Sequence, residues 1–340
     1  MRTTIKDISQ ETGLSIATIS LALSEKPSRV SKETKRLVRE AAKRLNYRPN
    51  HLALGLATQR TKMLGIIMPD ISNAYFAKIA KGACHEADSK GYNLTFCDTE
   101  NNPDKDVRAV NMLLERGADG IMLICSNYGQ NDRLAECIDM CNQEDVPMVL
   151  IDRIPAHAEF HAVTLNHELG GYIATSHLLE MGHTRIGCIT GSTYSDSSNK
   201  RVYGYIKALQ ERSISFDSSL IAEGDYYTDC GYELAKPLLD QGVTAIFAFN
   251  DLIAYGVYRY LNEKNLEVPD DISLIGFDDI YLSQIIPTPL TTIRQPTYEI
   301  GRESVSKLIK TINKEPAERI TTFEPEIVIR ESTKQYKLDK

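Results

Sequence analysis

The sequence predicts two architectures in one chain: a small all-α unit at the N-terminus and a larger α/β unit built on doubly wound parallel sheets. Three observations predict this. The charge is split, because residues 1–62 carry thirteen Lys and Arg against five Asp and Glu, a net +8, while the remainder carries a net −15. Apolar residues recur at helical spacing over 4–46, and from Lys62 onward strand-like and helix-like segments alternate. At 340 residues and 42% hydrophobic, the chain is too long for one ordinary domain and rich enough for sizeable cores. A basic head on an acidic body implies that the head alone approaches a polyanion. The plainer reading of the same charge is a solvated basic surface.

Three short helices are expected in the head. Thr4-Ile5-Lys6-Asp7 has the form of a capping box, and Ile5, Ile8 and Thr12 keep a helical period. Gly13 breaks that period. Ser15 then caps a second helix from Ile16 to Leu23, with Ile19 and Leu23 on one face. Ser31-Lys32-Glu33-Thr34 opens a third, along which Leu37, Val38, Ala41, Ala42 and Leu45 recur. Two helices across a tight Gly-containing turn, with a third packed over them, make a helix-turn-helix unit. After Pro49, Asn50 to Ala57 have room for one or two helical turns, a length only marginally helical by itself in water.

In the body, strands are expected at Leu64–Met68, Asn93–Cys97, Gly120–Cys125, Met148–Ile151, Arg185–Thr190, Ala245–Phe249, Ile272–Phe277 and Thr291–Arg294. Helices between them include Tyr75–Lys90, Asp104–Arg116, Leu169–Met181, Arg201–Glu211 and Leu252–Lys264. Such alternation with buried strands implies parallel sheets covered on both faces. Roughly 280 residues of it exceed one doubly wound unit, so two lobes are expected.

Several function classes find no support. No GxxxxGK[ST] or GxGxxG stands at a strand–helix junction, and no GxSxG elbow occurs. The pairs His157/His161 and Cys137/Cys141 have four-residue spacing but no complementary second pair, so no metal site is assigned. Nothing selects a general acid–base couple among the carboxylates, and neither an enzymatic activity nor a cofactor is expected. Seven scattered cysteines, an odd number, argue against a secreted disulfide framework. The longest apolar runs, such as Leu64–Met68 and Met148–Ile151, fall far short of the ~18 residues of a membrane span. The start of the chain (Arg2, Lys6, Asp7) lacks the apolar stretch of a signal peptide. A cytoplasmic protein without a membrane partner is expected.

Ile5-Lys6-Asp7-Ile8, Thr12-Gly13-Leu14-Ser15-Ile16-Ala17-Thr18-Ile19-Ser20 and Leu23-Ser24 form a pattern that continues in Leu45-Asn46-Tyr47-Arg48-Pro49-Asn50. Further along come Met181-Gly182-His183-Thr184-Arg185-Ile186, Val268-Pro269-Asp270-Asp271-Ile272-Ser273, Gly276-Phe277-Asp278-Asp279 and Pro289-Leu290-Thr291-Thr292-Ile293-Arg294-Gln295-Pro296. Taken together and in this order, these segments resemble the lactose-repressor (LacI/GalR) family across nearly the whole chain. The resemblance implies a helix-turn-helix DNA-binding head at 1–48, a hinge helix and linker at 49–61, and a core at 62–340 like the periplasmic sugar-binding proteins. It places the core's N-lobe at about 62–162 and 293–323, and its C-lobe at about 163–292 and 324–333.

Carried over residue by residue, the resemblance puts Ile16, Ala17 and Leu21 at base-reading positions. It puts Thr4, Ser15, Thr18, Ser20 and Arg29 at phosphate-contacting ones. All three readers are apolar, where polar or basic residues are frequent in the family; this rules out bidentate Arg–guanine readout from them and favours contact with thymine methyls. The alternative for Leu21 is packing into the head's own core. Leu56 matches the hinge leucine wedged into a minor-groove step, its alternative being burial against the partner hinge. Gly55 lowers helix propensity there by about 1 kcal/mol relative to Ala, which suits a hinge that folds only on DNA.

In the core the nearest pattern is that of a ribose-type binder, with Asn73, Tyr75, Phe76, Asp152, Arg153, Arg201, Tyr226, Asn250, Phe277, Asp278 and Gln295 at ligand-contacting positions. Aromatic faces would sandwich a sugar ring while charged and amide groups bond its hydroxyls. Each has a structural alternative: Asp152-Arg153 as a salt bridge, Asp278 as a cap, Tyr75 and Phe76 as core. The expectation is a homodimeric repressor of sugar-utilisation genes, released from a palindromic operator by a small sugar, ribose first. Alternatives are a regulator of the same family using a purine, a sugar phosphate or a protein co-repressor, or a sugar-binding protein without regulatory release. A transport protein would need a signal peptide and no DNA-reading head, and a fused sugar kinase would need a phosphate-binding loop. Gln335 to Lys340 hold no heptad pattern, so no C-terminal tetramerisation helix is expected.

Overall fold

The computed structural model describes residues 3–23, 29–47, 60–126, 133–154 and 160–336, and the chain divides into two units, Met1–Thr61 and Lys62–Lys340. Leu56, Gly55 and all of the expected hinge segment except Arg60 and Thr61 lie outside the described residues.

In the first unit, helices α1 (Ile5–Thr12), α2 (Ile16–Leu23) and α3 (Lys32–Arg44) follow the expected breaks. Thr4 N donates to the Asp7 carboxylate at 2.7 Å, closing the capping box, and Gly13 ends α1 at φ 66°, a left-handed conformation that glycine adopts without a Cβ penalty. Ser15 Oγ accepts from Thr18 N and Ser31 Oγ from Thr34 N, both at 3.1 Å. Ile8, Ile19, Ala22, Val38 and Ala41 form the fully buried centre. Leu37, placed by its spacing with the core positions of α3, is instead 43% exposed, because the buried stripe runs through Val38 and Ala41.

The second unit holds two six-stranded sheets. The first takes β1 (Met63–Met68), β2 (Asn93–Asp98), β3 (Gly120–Leu123), β4 (Met148–Ile151) and β5 (His161–Leu165). The second takes β6 (Ile186–Thr190), β7 (Ile221–Glu223), β8 (Ala245–Ala248), β9 (Ser273–Asp278) and β10 (Thr291–Arg294). The chain then returns to the first sheet with β11 (Ile320–Phe323) and to the second with β12 (Glu326–Val328). Helices α4 (Ala74–Ser89), α5 (Pro103–Glu115) and α6 (Arg133–Gln143) connect the first set of strands. Helices α7 (His167–Glu180), α8 (Asp196–Glu211), α9 (Thr228–Asp240) and α10 (Asp251–Glu263) serve the second, and α11 (Thr297–Ile312) packs back on α4.

The strand orders are β2-β1-β3-β4-β5-β11 and β7-β6-β8-β9-β10-β12, parallel throughout except for the β10–β12 pair. This is the doubly wound arrangement expected, built twice. Side chains alternate across the first sheet: Leu64, Ile66 and Met68 join one core with Ile79, Ala83 and Leu308, whereas Ile67 joins the other with Val110, Leu113, Cys137 and Cys141. Both members of the Cys137/Cys141 pair are therefore packing residues.

Strands β5, β7, β11 and β12 and helices α6, α9 and α11 are additions to the expected elements. The strands β7 and β12 have three residues each and β11 is alternately exposed, so these edge strands carry no apolar run to read. Helix α8 starts at Asp196, five residues before the apolar period begins, because Ser195 Oγ caps it through Ser198 N. The expected strand Gly120–Cys125 stops at Leu123. Strand β5 reaches Leu165 within the first sheet and β10 reaches Arg294 within the second, so both crossovers lie beyond the expected divisions at 162/163 and 292/293.

One close approach matters for the site. At the α7–α8 crossing, a Cβ on Gly171 would sit 2.2 Å from the Arg201 carbonyl oxygen, and one on Gly204 would sit 2.0 Å from that of Glu168. Only glycine at both positions lets these helices touch backbone to backbone.

Candidate functional site

On the head, the expected base readers face solvent. Ile16 is 45% and Leu21 51% exposed, and Ala17 is exposed as well. Leu21 thus lies on the helix surface, not in the head's own core. Of the expected phosphate contacts, Thr4, Ser15, Ser20 and Arg29 are exposed and Thr18 is half-buried. Ser15 and Thr18 hydroxyls meet at 2.8 Å at the start of α2, where free N–H groups and the helix dipole favour an anion. The Thr4 hydroxyl donates to Asp7 at 2.8 Å, so a phosphate contact from Thr4 requires that hydroxyl to turn. Leu56 lies outside the described residues.

In the core, the carboxyl ends of the parallel strands of both sheets open onto one cleft of about 550 Å³, including its mouth. This is where doubly wound sheets place ligands. Asn73, Tyr75, Phe76, Asp152, Arg153, Arg201, Tyr226, Asn250, Asp278 and Gln295 line it. The remaining expected residue, Phe277, supports the wall from behind, its ring centroid 3.6 Å from the Arg201 guanidinium carbon. Pro69, Asp70, Asn101, Ser197, Asp225 and Tyr227 also line the cleft and were not anticipated. Most of them sit in polar loops after strand ends, where no apolar period signals their position.

Caps aim several of these side chains. Asn73 Oδ1 accepts from Tyr75 N at 3.0 Å at the head of α4, setting the Tyr75 and Phe76 rings edge to face with centroids 5.0 Å apart. Asn250 caps α10 through Ile253 N at 2.8 Å, and its Nδ2 donates to the Tyr226 carbonyl at 2.9 Å. Gln295 Nε2 donates to Asp278 Oδ1 at 2.6 Å. Lining residues Asn101, Asp152, Tyr226 and Asp278 all have positive φ, at 53°, 65°, 74° and 114°, a strained backbone for residues other than glycine. Strain of this kind gathers where a side chain must be aimed.

The charges do not form a simple Asp152–Arg153 bridge. Asp152 Oδ1 lies 2.8 Å from His167 Nε2, while Arg153 Nη1 donates to Asn101 Oδ1 and to the Cys125 carbonyl, both at 3.0 Å. Burial alone would raise the Asp152 carboxyl, but His167, Arg201 and Arg153 hold it down at about 2. Asp278 goes the other way: burial, with Asp251 and Asp152 nearby, pushes its carboxyl well above the ordinary range despite Arg201. Burial and the same cleft carboxylates raise the Tyr75 hydroxyl.

Among the described residues, the wall carries four aspartates (Asp70, Asp152, Asp225, Asp278) against two arginines, with Asp278 held toward its neutral form by burial. Arg201, 4% exposed, already donates to the Phe249 carbonyl and reaches His167. Three buried wall atoms, Tyr75 Oη, Tyr226 Oη and Gln295 Oε1, have no hydrogen-bond partner. Buried polar atoms left unpaired are costly, so these mark where a ligand supplies partners.

Residues 4–50 match the family model of bacterial regulatory proteins of the lacI family, and residues 175–333 match a periplasmic binding protein-like domain. The chain is 36% identical over 334 residues to the HTH-type transcriptional repressor PurR of Histophilus somni (strain 129Pt), covering 97% of this chain and 99% of that protein. It belongs to the LacI family. Among solved structures, this LacI-family chain superposes on the lac repressor dimer bound to operator and the anti-inducer ONPF with a TM-score of 0.88 at 25% identity, covering 98% and 100% of the two chains. It also matches a LacI family transcriptional regulator from Enterococcus faecium with bound ribose, with a TM-score of 0.73 at 28% identity over 81% and 100%. The LacI-family assignment makes the basic head a DNA-binding module and the chain a transcriptional regulator. Among the described residues, no helix is long and apolar enough to cross a membrane.

Proposed function

We propose that this regulator is a repressor of sugar-utilisation genes whose homodimer binds a near-palindromic operator and leaves it when an unphosphorylated sugar closes the cleft. Ribose is the first choice. The carrying observation is the cleft's charge: with Asp278 held toward its neutral form by burial, Asp70, Asp152 and Asp225 still outnumber two guanidiniums that already have protein partners. A dianionic sugar phosphate would meet net repulsion, whereas a neutral ring offers hydroxyl donors to the carboxylates. The rings of Tyr75, Phe76 and Tyr226 supply apolar faces, and the unpartnered Gln295 Oε1 and tyrosine hydroxyls supply the reading groups. The ribose held by the Enterococcus faecium neighbour supports the sugar, while the Histophilus somni relative, the repressor PurR, supports repression alone.

On the DNA side, Ile16, Ala17 and Leu21 read base edges by apolar contact. Ser15, Thr18, Ser20, Arg29 and Thr4 hold phosphates, and Leu56 wedges into a minor-groove step. Two-fold symmetry of the protein then calls for two-fold half-sites. The sugar releases DNA only through its higher affinity for the closed state.

The deciding experiment is calorimetric titration of the full chain with ribose, other pentoses, hexoses, ribose 5-phosphate and free purine bases. Heat with a free sugar and none with its phosphate supports the reading. Tight binding of a sugar phosphate or a purine base, with no heat from any free sugar, sinks the sugar effector and leaves the DNA-binding regulator standing.

A further inference from the structure

We propose that His167 is a positioning residue of the cleft, tying Asp152 on the first lobe to Arg201 on the second so that both meet the ligand in register. This role rests on the cleft being the effector site. His167 stands where the chain first crosses between lobes, directly after β5 and at the first position of α7, and it is 1% exposed. Its Nε2 lies 2.8 Å from Asp152 Oδ1, and its Nδ1 lies 3.4 Å from Arg201 Nε and 3.3 Å from Arg201 Nη2.

The chemistry of the partners selects one state of the ring. A guanidinium has donors only, so Nδ1 must accept and carries no proton. The single proton of the neutral ring then sits on Nε2 and is donated to the Asp152 carboxylate. Burial pushes the imidazole below its ordinary range in spite of Asp152, with Arg201 and Lys200 on α8 adding like charge. A protonated ring would turn its second N–H against Arg201. Phe277 closes the other side, its ring centroid 6.3 Å from that of His167.

The helix crossing supplies the rigidity. Gly171 of α7 accommodates the carbonyl of Arg201 itself, so the backbone contact that brings α7 and α8 together also sets the distance from Arg201 to His167. Of the two groups it joins, Asp152 follows a strand of the first sheet and Arg201 belongs to a helix of the second. A shift of one lobe against the other therefore changes the Asp152–His167–Arg201 chain before it changes either residue's own lobe.

The test compares the full chain with His167→Leu and His167→Gln, each alone and combined with Asp152→Asn, using ribose as the calorimetric probe. The Leu variant should bind ribose at least tenfold more weakly. Gln, which keeps a donor near Nε2 and cannot titrate, should recover most of that loss. The Leu and Asn losses together should fall well short of their product, because they break the same link. Independently of any ligand, a proton–nitrogen correlation spectrum of the imidazoles at pH 7 should show His167 neutral and protonated on Nε2, with that signal moved by Asp152→Asn. Parent-like ribose affinity in His167→Leu, or a ring that is charged or protonated on Nδ1, overturns the proposal. If the Leu variant does not fold, the Gln variant and the spectrum decide. If the parent takes up no ribose, the sugar reading fails, and the spectrum alone judges His167: a signal unmoved by Asp152→Asn rejects the link.

Discussion

The head and the core cleft are marked by opposite departures from ordinary burial. On α2 the head leaves Ile16 and Leu21 about half exposed, apolar groups on a surface otherwise rich in lysine and arginine. The cleft does the reverse, enclosing Asp152, His167 and Arg201 at 6%, 1% and 4% exposure in a core of aliphatic strands. An exposed leucine costs a fold little, so the head can carry the proposed readers on one eight-residue helix with two other short helices behind it. A buried charge is expensive unless each group has a partner, so the cleft needs many chain segments to supply carbonyls, amides and counter-charges. The comparison teaches that a surface reader can be local, whereas a charged interior site has to be assembled.

The largest expected effect separates the two regions outright. A fragment beginning near Met63 should bind ribose and show no operator affinity, while the full chain's DNA affinity should fall steeply with salt through counterion release. Fluorescence anisotropy with operator DNA reads both; operator binding by the fragment would break the division of labour.

Within the head, Ile19→Ala should cost about 2–5 kcal/mol of stability, since Ile19 is fully buried at the head's centre. Thermal or urea unfolding of the head checks it, and a loss below ~1 kcal/mol would mean that the three helices do not depend on this core.

In the cleft, Asp278→Asn should weaken ribose binding by roughly 0.5–1.5 kcal/mol, the range for a hydrogen bond between neutral groups, since burial holds this carboxyl toward its protonated form. The same change should stabilise the core at neutral pH. Unfolded, the Asp278 carboxyl ionises near its ordinary value; folded, it ionises only at higher pH, so across that window the native state holds a proton that the unfolded chain has lost. Stability from this group is therefore greatest in acid and declines as pH rises through the window, and Asn removes the decline. Asp251, raised by burial to about 6, contributes in the same direction. Calorimetric melts of parent and variant at pH 5 and pH 8 measure the difference. A variant that melts lower than the parent at pH 8 would show that the Asp278 charge is compensated.

The smallest effect sharpens the contrast. Leu21→Ala should change the head's stability by no more than about 0.5 kcal/mol, as for other surface positions. It should nevertheless weaken operator binding by roughly 1 kcal/mol, the lower end for a single base contact. Loss of stability without loss of operator affinity would return Leu21 to the core.

Legibility followed the same division. Capping residues Thr4, Ser15 and Ser31, the break at Gly13 and the buried Ile8 and Ile19 were all readable locally, because helix periodicity and end-capping act within a few residues. The buried strands of both sheets except β5 were readable as apolar runs, but β7, β11 and β12 were not, because their pairing depends on a neighbouring strand and not on their own composition. Family resemblance pointed to most of the cleft wall. It missed Ser197, hidden in the polar first turn of α8, and it missed Asp70, Asn101 and Asp225 in strand-end loops.

What the sequence by itself determined was the split of charge, the helix-turn-helix, the alternating α/β body and the residue types able to hold a small polar ligand. These rest on local periodicity and on side-chain chemistry, which travel with the chain. Only the tertiary structure decided that Leu21 faces outward, that Asp152 pairs with His167 and not with its neighbour Arg153, and that the cleft is acidic. Each depends on residues far apart in sequence meeting across helix crossings and strand ends, as where Gly171 seats the carbonyl of Arg201. Partner choice among buried charges is settled by distance and desolvation, and neither exists until the lobes have folded.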